Sequence, residues 1–398
     1  MFAFINRRLS GKALLVGLWL GIAGTASPAA AQSTAPLKIG LVLPMSGAFA
    51  SYGKQMARGV RLYLEEHGDV FAGRKVQLIL KDDTGVAPEL TKRATQELLV
   101  RDRVEILGGY GMTPGAMASA PLATEAKTPM VVMNAGTSIL PSRSPFIVRT
   151  SADLAHYTRP LGPWAVRNGL ARAFTLVADF SPGHDTERYF SESHAQAGGQ
   201  IIGSIRVPPQ NLDYAPYLQR IKDARPDVVF VFVQAGEAVT AFLKGFHERG
   251  LASDGIRLVA TGDLTNEDTL DALGDAALGV VTAHHYSEAH DSPENRAYTQ
   301  AYYRRYDNER PNFMSVAGYD GMRLIHETLK KTGGQTGEAF MQAVRGLGFV
   351  SPRGAVTIHP QTRDIHQTIY IREVVREGEG DGNTRLVNRE IDATLALP

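Results

Sequence analysis

The sequence predicts two α/β domains, each built on a parallel sheet. Three observations lead there. Apolar runs of strand length alternate with helical stripes from residue 37 to about 150. The same rhythm restarts near residue 150 and ends at "GVVTAHHYSEAH" (279–290). The stretch 291–350 is mostly helical and has no strand repeat of its own, so it is expected to return and cover the first domain. Strands alternating with helices of ten to fifteen residues imply βαβ units and parallel pairing.

The elements follow in order. "LKIGLVLP" (37–44) is a buried-strand run, and residues 53–67 place Met56, Val60 and Leu64 at helical spacing. "KVQLILKDD" (75–83) is the second strand, and 87–102 is helical with Leu90, Ala94 and Leu98 on one stripe. "VEILGG" and "TPMVVMNAG" (128–136) supply the third and fourth strands. The second round begins with "GLARAFTLVADF" (169–180), a helix in "SPGHDTERYFSESHAQAGG", and a strand in "GGQIIGSIRVP" (198–208). Residues 214–250 read helix, strand, helix, and "IRLVATGDLTNEDTLDALG" repeats strand and helix. Residues 355–375 read as a hairpin-like pair of alternating strands, and "REGEGDGNTR" (376–385) as a mobile polar tail.

The N-terminus stands apart. Arg7, Arg8 and Lys12 precede the apolar run "ALLVGLWLGIA" (13–23), which is short for a membrane span, and Ala29 and Ala31 suit a signal peptidase. Residues 1–31 are therefore expected to be a cleaved secretory signal; the alternative is a short anchor helix. Removing its three basic residues from the 42 leaves 39 against 41 acidic ones, a net charge of −2. Such a balance, with scattered arginines, offers no footprint for nucleic acid. The chain has no cysteine, which excludes disulfides, thiol catalysis, cysteine-bound metal and lipid-modified cysteine.

Several motifs carry chemistry. In "GGYGMTPG" (108–115) a dinucleotide turn would need glycine where Pro114 stands and an acid on the following strand, which 128–136 lacks. The better reading is Thr113 as N-cap with Pro114 first in the helix, a start whose free amides attract an anion or whose turn is tight for packing alone. "NAGTS" (134–138) adds Gly136, which permits an unusual backbone angle, and the hydroxyls of Thr137 and Ser138. The first strand ends in "PMSGAFASYG", which carries Tyr52. Parallel strands put these loops on one edge, where two of them would cradle a carboxylate. In the second domain the same edge holds "DFSPGHD" (179–185), "QAGE" (234–237) and "TGDLTN" (261–266). Asp263 there faces a cationic group, caps a helix at 264–273, or does both.

Enzyme signatures are missing: neither G-x-S-x-G nor H-E-x-x-H occurs. His284 and His285 are adjacent on a strand and should point to opposite faces, so metal binding with His290 is not expected. His184 and Asp185 sit in a loop with no nucleophile beside them. "ENRAYTQAYYRRYDNERP" spaces its aromatics for packing and its charges for a solvated face. No catalysis, metal or cofactor is expected.

Seven segments in this order resemble the periplasmic solute-binding proteins of the branched-chain amino-acid (leucine-binding) type that serve ABC importers. They are "LKIGLVLPMSGAFASYG", "ILGGYGMTPGAMASAPLA", "TPMVVMNAGTS", "VRTSADL", "DFSPGHD", "TGDLTN" and "SVAGYDGMRLI", spanning residue 37 to about 330. The resemblance implies a type I two-lobe periplasmic binding protein fold, each lobe a parallel-sheet α/β sandwich, joined by three hinge crossings near 150–153, 283–287 and 355–360. It places the first lobe at 37–151 and 286–356 and the second at 152–285 and 357–398.

It also implies a site. Met112, Thr113, Ala135, Gly136 and Thr137 would hold the ligand carboxylate, and Tyr52 would join them. Asp263 would bind an α-ammonium, with further contacts from Phe180 to Gly183 and from Gln234 to Glu237. The chain departs from leucine-type binders in lacking their serine run after the third strand and their tyrosine near Pro182. It looks closer to the branch associated with aromatic acids. Tyr110, Met112, Phe180 and Tyr286 would then line a flat apolar pocket, and Asp263 would accept a phenol proton instead. The implied protein is a monomeric periplasmic component that captures an amino acid or related carboxylate and delivers it to a membrane permease. Its alternatives are aromatic carboxylate uptake and a sensory receptor subunit on the same fold.

Overall fold

The computed structural model describes residues 35–85, 87–378 and 384–395; the expected signal segment, 1–31, lies outside them. Six strands form the first sheet: β1 Leu37–Leu43, β2 Val70–Phe71, β3 Arg74–Asp82, β4 Ile106–Gly109, β5 Met130–Val132 and β6 Ile147–Arg149. Their order is β2-β3-β1-β4-β5-β6, parallel throughout except for the short β2 against β3. The linking helices are α1 Ala50–His67, α2 Pro88–Glu97 and α3 Thr113–Glu125.

The second round supplies β7 Arg172–Ala178, β8 Gln200–Val207, β9 Val228–Phe232, β10 Arg257–Thr261 and β11 Val281–His284. Its helices are α4 Leu154–Thr158, α5 Leu161–Arg167, α6 Ser181–Gln196, α7 Ala215–Ala224, α8 Glu237–Glu248 and α9 Leu270–Leu273. Both faces of this sheet are covered, as a parallel sheet requires. Along β9, Val229 and Val231 join one core, while Val228 and Phe230 join the other.

The chain then returns to the first sheet through α10 Pro293–Arg305, α11 Phe313–Thr332 and α12 Gly337–Ala343. Phe313, Met314, Val316, Ala317, Leu324 and Ile325 complete the core of the first round, as the strandless composition of 291–350 implies. α11 lies directly on α1. A methyl at Gly59 would collide with the Ser315 carbonyl, and one at Gly318 with the Met56 carbonyl, so reciprocal glycines let the two backbones touch. Gly59→Ala is expected to cost about 1–3 kcal/mol through this overpacking, read as a lower midpoint in urea unfolding.

Three expectations change here. The sheets are mixed, because β15 Thr368–Gly378 and β16 Thr384–Leu395 add antiparallel to β11, giving the order β16-β15-β11-β10-β9-β7-β8. The two apolar runs of 355–375 do not form a hairpin with each other. The first, β13 Gly354–Ile358, pairs with β12 Gly348–Ser351 and β14 Ile365–His366, whereas the second belongs to β15. Alternation identifies a strand but not its partner. The segment read as a mobile tail contributes residues 376–378 to β15 and 384–385 to β16, and its centre, 379–383, lies outside the described residues.

The result is a two-lobe α/β protein. The chain passes between the lobes after β6, after β11 and at Gln367; Val356, Ile358 and Ile365 still pack in the first core, while Ile369 and Ile371 pack in the second. No helix among the described residues is long and apolar enough to cross a membrane.

Candidate ligand-binding cleft

Open α/β sheets bind ligands beyond the carboxyl ends of the strands, at the point where the winding reverses. In the first sheet that point lies at β1 and β4, and in the second at β7 and β9. Loops on the two strand edges face one another. Tyr52, in the first turn of α1, donates its hydroxyl to Asp263 Oδ1 at 3.2 Å. Beside it Ser51 Oγ donates to Asp268 Oδ2 at 2.6 Å, and Ser138 Oγ lies 3.3 Å from the Tyr189 hydroxyl. These contacts join the two strand edges across a cleft.

On the first lobe, β4 ends in two left-handed residues, Gly109 (φ 98°) and Tyr110 (φ 61°). The unusual angle expected at Gly136 falls here instead; Gly136 is not among the positive-φ residues. The twist turns the Tyr110 ring away from the cleft. It is fully buried, with its hydroxyl 2.9 Å from Thr95 Oγ1 on α2. Its backbone still serves the site, because the Tyr110 carbonyl accepts from Ala135 N at 3.1 Å.

Met112 and Thr113 are half-buried at the start of α3. The N-cap is Met112 rather than Thr113, and no side chain caps the helix. Pro114 has no N–H, so the amides of Thr113 and Gly115 are left at a positive helix end. α6 starts the same way from the opposite lobe, with the half-buried Phe180 as N-cap, Pro182 in the first turn and no side-chain cap.

The loop after β5 is more specific. The Ala135 and Thr137 carbonyls both accept from Arg149 Nη1, at 3.2 and 2.7 Å. The Gly136 carbonyl accepts from Leu154 N at 3.0 Å. Three consecutive carbonyls are thus satisfied, while the N–H groups of Gly136, Thr137 and Ser138 donate to no acceptor among the described residues. Such a row of amides has the donors to receive an anionic group.

On the second lobe, Asp263 sits in a short turn after β10 and caps no helix: the N-caps of that turn and of α9 are Thr261 and Thr269. Its Oδ2 accepts from Thr261 Oγ1 at 3.4 Å. Burial pushes the Asp263 carboxyl up, against the pull of the Tyr52 hydroxyl. Burial, with the Asp263 charge second, likewise pushes the Tyr52 hydroxyl well up. Phe180 pairs with Phe232 at the end of β9, ring centroids 6.1 Å apart, and both are half-buried. Gln234, also half-buried, follows two residues on. Tyr286 is not at this surface. Its ring is fully buried in the first core against Tyr298, 6.3 Å between centroids, and its hydroxyl has no hydrogen-bond partner among the described residues.

Aromatic residues that sequence reasoning missed pack behind Tyr52. Phe313, first residue of α11, meets Tyr52 edge-on at 5.7 Å and His284 at 4.5 Å. His284 stacks on Tyr157 at 4.5 Å. A strand–turn signal foreshadows Phe232, and Asn312 caps α11 through its side chain just before Phe313; nothing local marks the neighbours of either ring. The paired histidines depart from expectation. Strand β11 ends at His284, so His285 is free to turn, and the two rings lie 4.4 Å apart instead of on opposite faces. Tyr157 holds His285 Nδ1 at 2.6 Å, and burial drives both imidazoles well below their usual range. No group of three or more metal-ligating side chains occurs among the described residues. His184 lies in α6, not a loop, and is held by Asp179 at 2.6 Å.

Two α/β lobes with a polar, amide-lined cleft between their strand ends define a periplasmic solute-binding protein, a non-catalytic class. The chain belongs to the family described as periplasmic binding protein, whose model matches residues 36–381. It is similar to a Leu/Ile/Val-binding protein homolog 6 of Brucella melitensis, 40% identical over 346 residues, 86% of this chain and 89% of that one. It is also similar to the solute binding protein of an ABC transporter from Rhodopseudomonas palustris BisB5, solved with 3,4-dihydroxybenzoic acid: 48% identical, TM-score 0.86, covering 92% of this chain and 99% of that one. A second, from Rhodopseudomonas palustris HaA2 in complex with p-hydroxybenzoic acid, is 38% identical with a TM-score of 0.86, over 91% and 98% of the two chains. The chain is accordingly a substrate-binding component of ABC-transporter type, whose partners are a small molecule and a membrane permease.

Proposed function

We propose that this protein captures an aromatic carboxylate bearing a ring hydroxyl, of the hydroxybenzoate class, for import. One observation carries the reading: a phenol already sits on Asp263. The Tyr52 hydroxyl donates to Oδ1 across the cleft, and burial favours a carboxyl that shares a proton with a phenol. A ligand phenol would take its place beside Tyr52. The ligand carboxylate would lie on the amides of Gly136, Thr137 and Ser138 and the start of α3, and its ring between Met112 and the Phe180–Phe232 pair. The bound aromatic acids of the two R. palustris relatives support this assignment.

The lobes in this reading are 35–149 with 286–366, and 154–284 with 368–395, so the third hinge is Gln367. A ligand bridging both lobes would shift the population toward the closed form, which a permease recognises. In this reading the protein acts as a monomer. Tyr110 and Tyr286 are left out because their rings lie in the first core.

The amino-acid reading is favoured by the Brucella relative's name. It requires Asp263 to face an α-ammonium as a full anion, against the burial that pushes its carboxyl up. A thermal-shift screen separates the two. Ligand at about 100 times its dissociation constant adds about 2.7 kcal/mol of stability. A shift with 4-hydroxybenzoate and 3,4-dihydroxybenzoate, and none with leucine, isoleucine or valine, is the expected result; the reverse pattern overturns the proposal.

A further inference from the structure

Arg149 is fully buried, yet it is placed at none of the ligand-facing positions named above. It is the last residue of β6, immediately before the first crossing. Four groups surround its guanidinium. Nη1 donates to the Ala135 and Thr137 carbonyls. Nε donates to Asp364 Oδ1 at 2.6 Å, three residues before the third crossing. Nη2 lies 3.4 Å from Asp153 Oδ2, and Asp153 caps α4 at the start of the second lobe. One cation therefore touches the cleft loop, both sides of the first crossing and the approach to the third.

The trans peptide fixes what this does to the loop. In each unit the N–H points opposite to its C=O. The carbonyls of Ala135 and Thr137 are the other ends of the amides of Gly136 and Ser138. A guanidinium holding the two carbonyls from behind turns those two N–H groups outward and polarises them. A buried fork with five donors performs this better than a point charge, because it satisfies two carbonyls and two carboxylates in one plane.

We propose that Arg149 is a positioning residue for the ligand's carboxylate: it acts through the peptide groups of residues 135–138, aims their amides at the anion, and ties the loop's order to the first and third crossings. The inference rests on a carboxylate docking at this loop, not on the rest of the ligand being aromatic. Anion binding would thus stiffen the same segment that anchors the hinge.

The test is a pair of variants read by isothermal titration with four probes: 4-hydroxybenzoate, its neutral analogue 4-hydroxybenzamide, L-leucine and L-leucinamide. Arg149→Lys keeps the charge and loses the fork. It is expected to lower the carboxylate-over-amide preference about tenfold in whichever series the wild type binds. Asp364→Asn leaves the loop contacts in place and removes a negative charge behind them. It is expected to raise that preference two- to threefold. A merely structural role would weaken acid and amide alike and would not give opposite signs in the two variants. An unchanged preference in both variants overturns the proposal, and should the lysine variant fail to fold, an unchanged preference in Asp364→Asn does so alone. Wild-type binding of leucine in place of 4-hydroxybenzoate refutes the aromatic reading while Arg149 is still judged on the leucine pair.

Discussion

Replacing Asp263 with alanine is expected to weaken binding of 4-hydroxybenzoate about 10- to 150-fold. A hydrogen bond to a charged group contributes about 1.5–3 kcal/mol, and the ring hydroxyl would lose its acceptor on the second lobe. Benzoate, which has no hydroxyl to place there, should lose little, so the preference for the hydroxylated acid should collapse in the variant. Asp263→Asn sharpens the test. Its amide oxygen still accepts from a phenol, and about a tenth of the affinity or more should survive. An α-ammonium, by contrast, would face a neutral group after losing its only carboxylate and would be rejected far more strongly. Titration of both variants with 4-hydroxybenzoate, benzoate and leucine reads all of this. Equal losses for benzoate and 4-hydroxybenzoate would remove Asp263 from the role of phenol acceptor.

The parts of the site legible in the sequence are those whose geometry is local. Strand and helix periods place the loops after β1, β4, β5, β7, β9 and β10 on the cleft edges, so Tyr52, Met112, Thr113, Phe180, Gln234 and Asp263 fall where a reading of strand ends puts them. Asp263 is the clearest case: an acid just after a buried strand, although the helix cap that the sequence also allows is not made. Tyr110 went astray because its positive φ breaks the alternation that assigns a side chain to a face. Tyr286 went astray for a related reason. It follows β11 in the second crossing, where the chain has left the sheet and its ring enters the first core.

The other misses share one cause, which is sequence separation. Arg149 meets Asp364 across 215 positions and Arg353 meets Asp320 across 33, and neither spacing has a helical or strand period to reveal it. Arginine on a strand reads as a solvated face; only the assembled crossings show it buried. The partners of β13 and β14 are hidden for the same reason. β13 and β14 look like continuations toward the second sheet, but they close a small sheet on the first core, and a single residue, Gln367, makes the passage.

Those crossings also locate the largest stability effect. Asp320 on α11 and Arg353 between β12 and β13 are both fully buried, with Nε donating to Oδ2 at 2.7 Å. Ser351 Oγ shares that oxygen at 2.7 Å. Arg353 Nη2 reaches the Thr150 carbonyl at 2.5 Å in the first crossing, and its own carbonyl accepts from Tyr370 on β15 at 2.9 Å. The pair therefore joins the first lobe's long helix to both the first crossing and the second sheet. Asp320→Ala leaves a guanidinium buried without its counter-charge, which is expected to cost about 3–5 kcal/mol. The double variant Asp320→Ala with Arg353→Met removes both charges and fills part of the space with an apolar chain, so it should recover most of that loss. Urea unfolding of the wild type, both single variants and the double variant gives the cycle. A single Asp320→Ala variant within about 1 kcal/mol of the wild type would mean that water reaches the guanidinium and that the pair is not the structural pin between the lobes. If the cost appears as expected and the double variant regains stability but binds ligand more weakly, the pair serves the hinge rather than the fold. Its Thr150 contact then sets how the two lobes meet, and apolar packing alone cannot replace that contact.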